Sequence, residues 1–214
     1  MKRIMRPGTR KCGLCGLCGL FGSFGFLGLC GSLGSFGIFG LTSQAQQSAP
    51  VSVPPHPQER HFRTLRQITL DGENAEAYFS ADDRWLSLQR HVGGPETCDQ
   101  IYLLEMATGR MRMVSTGKGR TTCGYVFPGS NRFLYSSTHL GGDACPPAPD
   151  MSQGYVWALY DSFDIFTANM DGAGLQRLTN TPGYDAEATI ARDGRKIVFT
   201  SVRDGDLELY TMDA

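Results

Sequence analysis

The chain has 214 residues, with 20 Lys+Arg against 21 Asp+Glu, a formal charge of −1 and 41% apolar content. That balance excludes a basic nucleic-acid-binding surface and leaves enough apolar residues for a packed core. Five of the basic residues precede residue 12, so the body from Gln46 onward carries 15 Lys+Arg against 21 Asp+Glu and is acidic.

Residues 1–45 read as a secretory signal. Lys2, Arg3, Arg6, Arg10 and Lys11 make a basic start, residues 12–41 are uncharged, and Ser43-Gln44-Ala45 is a small-x-small cleavage site. Glycine recurs at every third position from Gly13 to Gly40. That period is collagen's, but no proline accompanies it, so expansion of a short repeat inside a signal is the simpler reading. The apolar run is long enough to cross a bilayer as an uncleaved anchor, the one route to a membrane that the sequence offers, although its glycines oppose a helix. Residues 46–62 hold Pro50, Pro54, Pro55 and Pro57 and read as an extended, solvated linker.

Residues 63–214 show no helical period and read as all-β. An outer strand, Leu65–Thr69, stands alone at the start. Near the end, Tyr184–Ile190, Lys196–Ser201 and Leu207–Met212 read as three antiparallel strands, with Asp193-Gly194 and Asp204-Gly205 as two-residue turns. Earlier copies exist. Setting Arg195-Lys196-Ile197 under Arg132-Phe133-Leu134 and Arg84-Trp85-Leu86 places Glu187 with Glu76, and Ile190 with Phe127 and Phe79. Leu209-Tyr210 then meets Ile165-Phe166 and Ile101-Tyr102. Fourth strands follow at Arg110–Ser115 and Leu175–Thr179. Four short strands per unit, at roughly 40–60 residue spacing, define a β-propeller blade. The expected architecture is an orphan outer strand, two full blades and a three-stranded blade. That is an open arc, because closed rings have about four to eight blades.

The segment LTNTPGYDAEATIARDGRKIVFTSVRDGDLELYTMD resembles the propeller repeat of the TolB family, with Ala188 and Ala191 where that repeat usually has proline. The resemblance runs from about Thr64 to Ala214. It implies a periplasmic or secreted propeller that binds or scaffolds proteins, with partners of the Tol–Pal envelope type. Related propellers also form the non-catalytic part of exported hydrolases and polymer lyases, which is the alternative reading.

The second blade carries a long insertion, His139–Ser162, between its second and third strands. Its Tyr155, Trp157 and Tyr160 should pack, and with His139 they form a candidate binding loop. Topology places the insertion on one face with the starts of the innermost strands. There Asn74 and Asp185, and Glu76 and Glu187, are equivalent pairs beside the channel. Repeated carboxylates there suit a hard cation such as Ca2+, though no cofactor is required, and the same side chains can instead bond the preceding turn. Cys98, Cys123 and Cys145 map to the same face. In an exported chain they should give one disulfide and one thiol, with Cys123–Cys145 favoured and Cys98–Cys123 also open.

Enzyme signatures are missing from the body. It has no G-x-S-x-G, H-E-x-x-H, Walker-type glycine loop or C-x-x-C pair, so a non-catalytic module is expected.

Overall fold

A computed structural model describes residues 50–94 and 96–214; the leader and its Ser43-Gln44-Ala45 site lie outside the described residues. Among the described residues the structure is β throughout, apart from one 3-10 turn at His139–Gly141. Blade one contains β3 (Glu73–Phe79), β4 (Trp85–His91), β5 (Gln100–Glu105) and β6 (Met111–Met113) in sequential antiparallel order. Blade two repeats this with β7 (Thr121–Val126), β8 (Arg132–Ser137), β9 (Asp164–Asn169) and β10 (Gln176–Arg177). Blade three has β11 (Asp185–Ile190), β12 (Lys196–Ser201) and β13 (Glu208–Asp213).

The expected outer strand is not an orphan. Its core, β2 (Leu65–Gln67), pairs antiparallel with β1 (Val51–Val53), which lies inside the presumed linker. Val51 and Val53 are β-branched and lie between prolines rather than at them, so their ladder groups are free to pair. Ile68, just past β2, packs on Leu86, Leu88 and Leu104 of blade one.

The outer strands are shorter than expected because side chains finish the ladder. Val114 and Leu178 N–H donate to the carbonyls of Ile101 and Ile165. Ser115 Oγ and Thr179 Oγ1 then accept from the N–H of those same two residues, each at 2.9 Å. The Asp193-Gly194 connection is also longer than a two-residue turn. Ala191 N–H donates to Lys196 O and Gly194 N–H to Ala191 O, leaving four residues in the loop. Blades one and two repeat this closure with Ser80 N–H to Trp85 O and Phe127 N–H to Arg132 O. Asp204-Gly205 sits in a six-residue loop, because Ser201 pairs directly with Glu208.

Stacking follows from strand alternation. One cluster joins Ile101, Leu103 and Val114 of blade one to Phe133, Tyr135, Phe166 and Ala168 of blade two. A second joins Phe127, Leu134 and Ile165 of blade two to Ala188, Ile197 and Phe199 of blade three. Burying each large side chain there contributes about 1.5–3 kcal/mol. The innermost strand does most of the interblade contact, β7 against β3, β4 and β5, and β11 against β7, β8 and β9.

Candidate functional site

Each innermost strand carries a bulge that sets two residues against one, between Ala75 and Tyr78, Thr122 and Tyr125, and Ala186 and Thr189. The first bulged residue has positive φ: Glu76 at 46°, Cys123 at 50° and Glu187 at 55°. This corrects the sequence register of blade two by one residue. Phe79, Val126 and Ile190 pair with Leu86, Phe133 and Ile197, so Val126 rather than Phe127 belongs to that column. The error comes from matching Phe133 to Trp85 as the aromatic after an arginine. With it removed, Cys123 takes the place in blade two that Glu76 and Glu187 hold in the others.

The bulge residues are linked through their neighbours. Tyr78 O–H donates to the Glu76 carboxylate, and Tyr78 stacks on Tyr125 at 4.2 Å between ring centres. Cys123 S–H reaches Glu76 Oε2 at 3.9 Å. Burial, reinforced by the Glu76 and Glu187 charges, pushes the Cys123 thiol up to about 11. It is therefore protonated at neutral pH. Burial and the bond to Glu76 also raise the Tyr78 phenol.

Asn74 and Asp185 do not join this row. Asn74 Nδ2 donates to the carbonyls of Asp71 and Gly72, the preceding turn. Asp185 is 1% exposed and pairs with Arg203 at 3.1 Å while accepting from Ser201 O–H. Arg203 in turn lies 4.8 Å from the ring centres of Phe199 and Tyr210. The Asp185 oxygens are thus committed elsewhere, and among the described residues no three His, Cys, Asp or Glu side chains are grouped to hold a metal.

The insertion forms a roof. Cys145 is bonded to Cys98, with Cα atoms 5.4 Å apart, and Cys123 is the free thiol among the described cysteines. The favoured Cys123–Cys145 pairing is therefore overturned, and Cys98–Cys123 with it. The bulge directs Cys123 to Glu76, whereas Arg120 bridges Asp99 at 2.8 Å and Cys145 Sγ at 3.7 Å, holding the insertion over the blade-one loop. Beneath the roof is a cavity of about 320 Å³, walled by Tyr155, Trp157, Tyr160, Phe163 and Tyr184 and floored by Gln89, Arg120, Thr121 and Thr122. Trp157 N–H donates to Tyr184 O–H at 3.4 Å, and Tyr160 O–H to Pro147 O at 2.8 Å. Tyr155 and Trp157 remain 79% and 55% exposed.

Tyr155, Trp157 and Tyr160 thus converge as expected of one loop, and His139 does not. Its ring packs on Phe166 at 4.4 Å and its Nδ1 bonds Ser137 Oγ at 2.9 Å. Burial lowers its pKa, with Asp164 opposing. Ser137, His139 and Asp164 are no nucleophilic triad, since Ser137 is fully buried and Asp164 is held by Arg177 at 2.7 Å. Gln89, Arg120, Phe163 and Tyr184 were not singled out from sequence. Tyr184 carried a usable signal, the aromatic directly before the first inner-strand acid.

Stacked antiparallel meanders, two of four strands and one of three, each entered through its innermost strand, make this a β-propeller array. No family model matches the chain. The crystal structure of TolB from Acinetobacter baumannii superposes with a TM-score of 0.52 at 20% identity, covering 70% of this chain and 32% of that one. An oligogalacturonate lyase in complex with manganese aligns at a TM-score of 0.43 and 13% identity, over 70% of this chain and 38% of its own. The tricorn protease aligns at 0.31 and 15%, over 70% and 18%. The fold is that of a TolB-like β-propeller, and the chain spans about a third of the length of that TolB.

Proposed function

We propose that this chain is an exported, periplasmic or secreted β-propeller module that binds a protein partner rather than catalysing a reaction. The observation that carries the reading is the disulfide-held insertion. It presents Tyr155, Trp157 and Met151, each more than half exposed, around an aromatic cavity. Large aromatic side chains on a fixed loop supply binding area at little entropic cost. Export is supported by the basic start, apolar run and Ser43-Gln44-Ala45 site, and by a disulfide that persists in oxidising compartments. Among the described residues no helix is long and apolar enough to cross a membrane. The resemblance to the TolB repeat points to partners of the Tol–Pal type. Titration calorimetry of the full chain with the soluble domain of a Pal-type lipoprotein is the test. Trp157→Ala is expected to weaken binding about tenfold or more, as for a central aromatic anchor. No binding by the wild type, or equal binding by the variant, would sink the reading.

A further inference from the structure

We propose that the Cys98–Cys145 disulfide is a redox latch on the insertion cavity: two-electron reduction by an external dithiol releases the roof and weakens partner binding. The control of affinity rests on the protein-binding reading above; the opening of the roof does not.

The roof needs a latch because it has little regular structure. From Cys145 to Ser162 no strand or helix forms. Several of its hydrogen bonds close on the segment itself: Gly154 N–H to Met151 O, Ser152 N–H to Asp150 Oδ1, and Tyr160 O–H to Pro147 O. At its far end Tyr160 and Phe163 pack against Tyr184, and Trp157 reaches Tyr184 O–H. Its near end is held by the disulfide. The adjacent supports are one backbone bond, Gly119 N–H to Asp143 O at 2.9 Å, and the exposed Lys118–Asp143 pair at 2.8 Å. An exposed pair contributes little to stability.

The latch is coupled to the cavity through Arg120. One end of its guanidinium pairs with Asp99, the neighbour of Cys98, and the other touches Cys145 Sγ. The same residue lines the cavity floor. Opening the bond removes the covalent tie to the roof right beside a residue of the cavity floor.

Access sets the order of chemistry. Cys98 is 8% exposed, while Cys145 is half-buried and the more open residue of the pair. A thiolate of the dithiol attacks Cys145 Sγ, forms a mixed disulfide and expels Cys98 Sγ, which takes up a proton. The second thiol of the reductant then closes on the first. It expels Cys145 as a thiolate beside the Arg120 guanidinium, which favours that anion. The reductant leaves as its cyclic disulfide, and two protein thiols replace one disulfide. Cys123 does not scramble the latch, because its S–H is turned to Glu76 Oε2 and burial keeps the thiol protonated.

The test uses the full chain. Amide hydrogen exchange is followed over residues 146–158 in the oxidised protein, in protein reduced by dithiothreitol, and in a Cys98→Ser/Cys145→Ser variant. The reduced protein and the variant should exchange about tenfold faster or more in that segment, with β4, β5, β8 and β9 still protected. The same samples should bind the Pal-type domain more weakly. Equal exchange in both redox states overturns the latch. Faster exchange spread through the strands also overturns it, since the bond would then be holding the blades. A looser roof with unchanged affinity overturns the control of binding and leaves the protein-binding reading standing. Absence of binding in every sample removes that reading and the affinity half of the proposal, while exchange still decides the opening.

Discussion

Gly124 shows how closely blades one and two approach, and it gives the sharpest test of their stacking. It lies buried in β7, and its carbonyl accepts a hydrogen bond from Ser87 O–H of blade one. A Cβ added there would sit 2.7 Å from Ile101 Cγ2, and 3.5 Å from Cδ1 and Cγ1. Carbon atoms rest at about 3.5–4.0 Å, so the side chain or the blade must move by about 1 Å. Gly124 is absent from the positive-φ glycines, so alanine there tests space and not backbone conformation. Overpacking of this kind costs about 1–3 kcal/mol. Ile101 is fully buried between the blades, and Ile101→Ala should cost about 2–5 kcal/mol on its own. Because the alanine at 124 fills space that Ile101 vacates, the double variant should lose at least about 1 kcal/mol less than the sum. Urea unfolding of the four proteins, with comparable slopes, measures the cycle. A Gly124→Ala protein as stable as wild type, or strict additivity, would refute the close approach.

Three other outcomes are expected. The Cys123 thiol is raised from 9.0 to about 11 in the folded chain, so the unfolded chain loses that proton first. The associated stability is full below pH 9 and is lost as pH rises to 11; Cys123→Ser should remove that part of the alkaline slope in melting curves, and Glu76→Gln should shift thiol alkylation to lower pH. Burial lowers the His139 pKa below 6.5, so the unfolded state binds the proton more readily and stability falls as pH drops through 6.5; His139→Gln should flatten this acid-side slope. Asp83 holds φ 58° in the turn before β4, where blade three has Gly194, so Asp83→Gly should raise the unfolding midpoint by about 0.5 kcal/mol equivalent, and a loss would show that the aspartate makes a compensating contact.

The blades were legible because they repeat. Alternation, Asp-Gly turns and recurring pairs such as Ile101-Tyr102, Ile165-Phe166 and Leu209-Tyr210 all report the same meander, and the third strands fall at the same register in space. Blade two slipped by one because residue type outvoted spacing when Phe133 was set under Trp85. The β1–β2 pair was hidden because four prolines masked Val51 and Val53. The disulfide partner was not legible, since chain separation says nothing about where a 24-residue insertion folds back. The actual bond spans 47 residues. Of the cavity, sequence offered the roof aromatics. It did not offer Gln89 and Arg120, which become neighbours only when blades one and two stack.

The bulge row explains why non-glycine residues tolerate positive φ at one position in three successive blades. Each such residue costs about 1–2 kcal/mol relative to an ordinary conformation. The contacts they gain run between neighbours. Glu76 accepts from Tyr78, whose ring lies on Tyr125 of the next blade. Cys123 of that blade turns back to Glu76. Tyr184, directly before the bulged strand of blade three, receives Trp157 from the roof. An ion site would need these acids bare, and Glu76 is capped by the Tyr78 phenol. The row is better understood as a seam that ties blade one to blade two, while Tyr184, just before the third bulge, is the residue that blade three contributes to the cavity wall. On this account Tyr184→Phe would spare the core and loosen Trp157, whereas losing the bulge at Cys123 would move the contact between blades one and two.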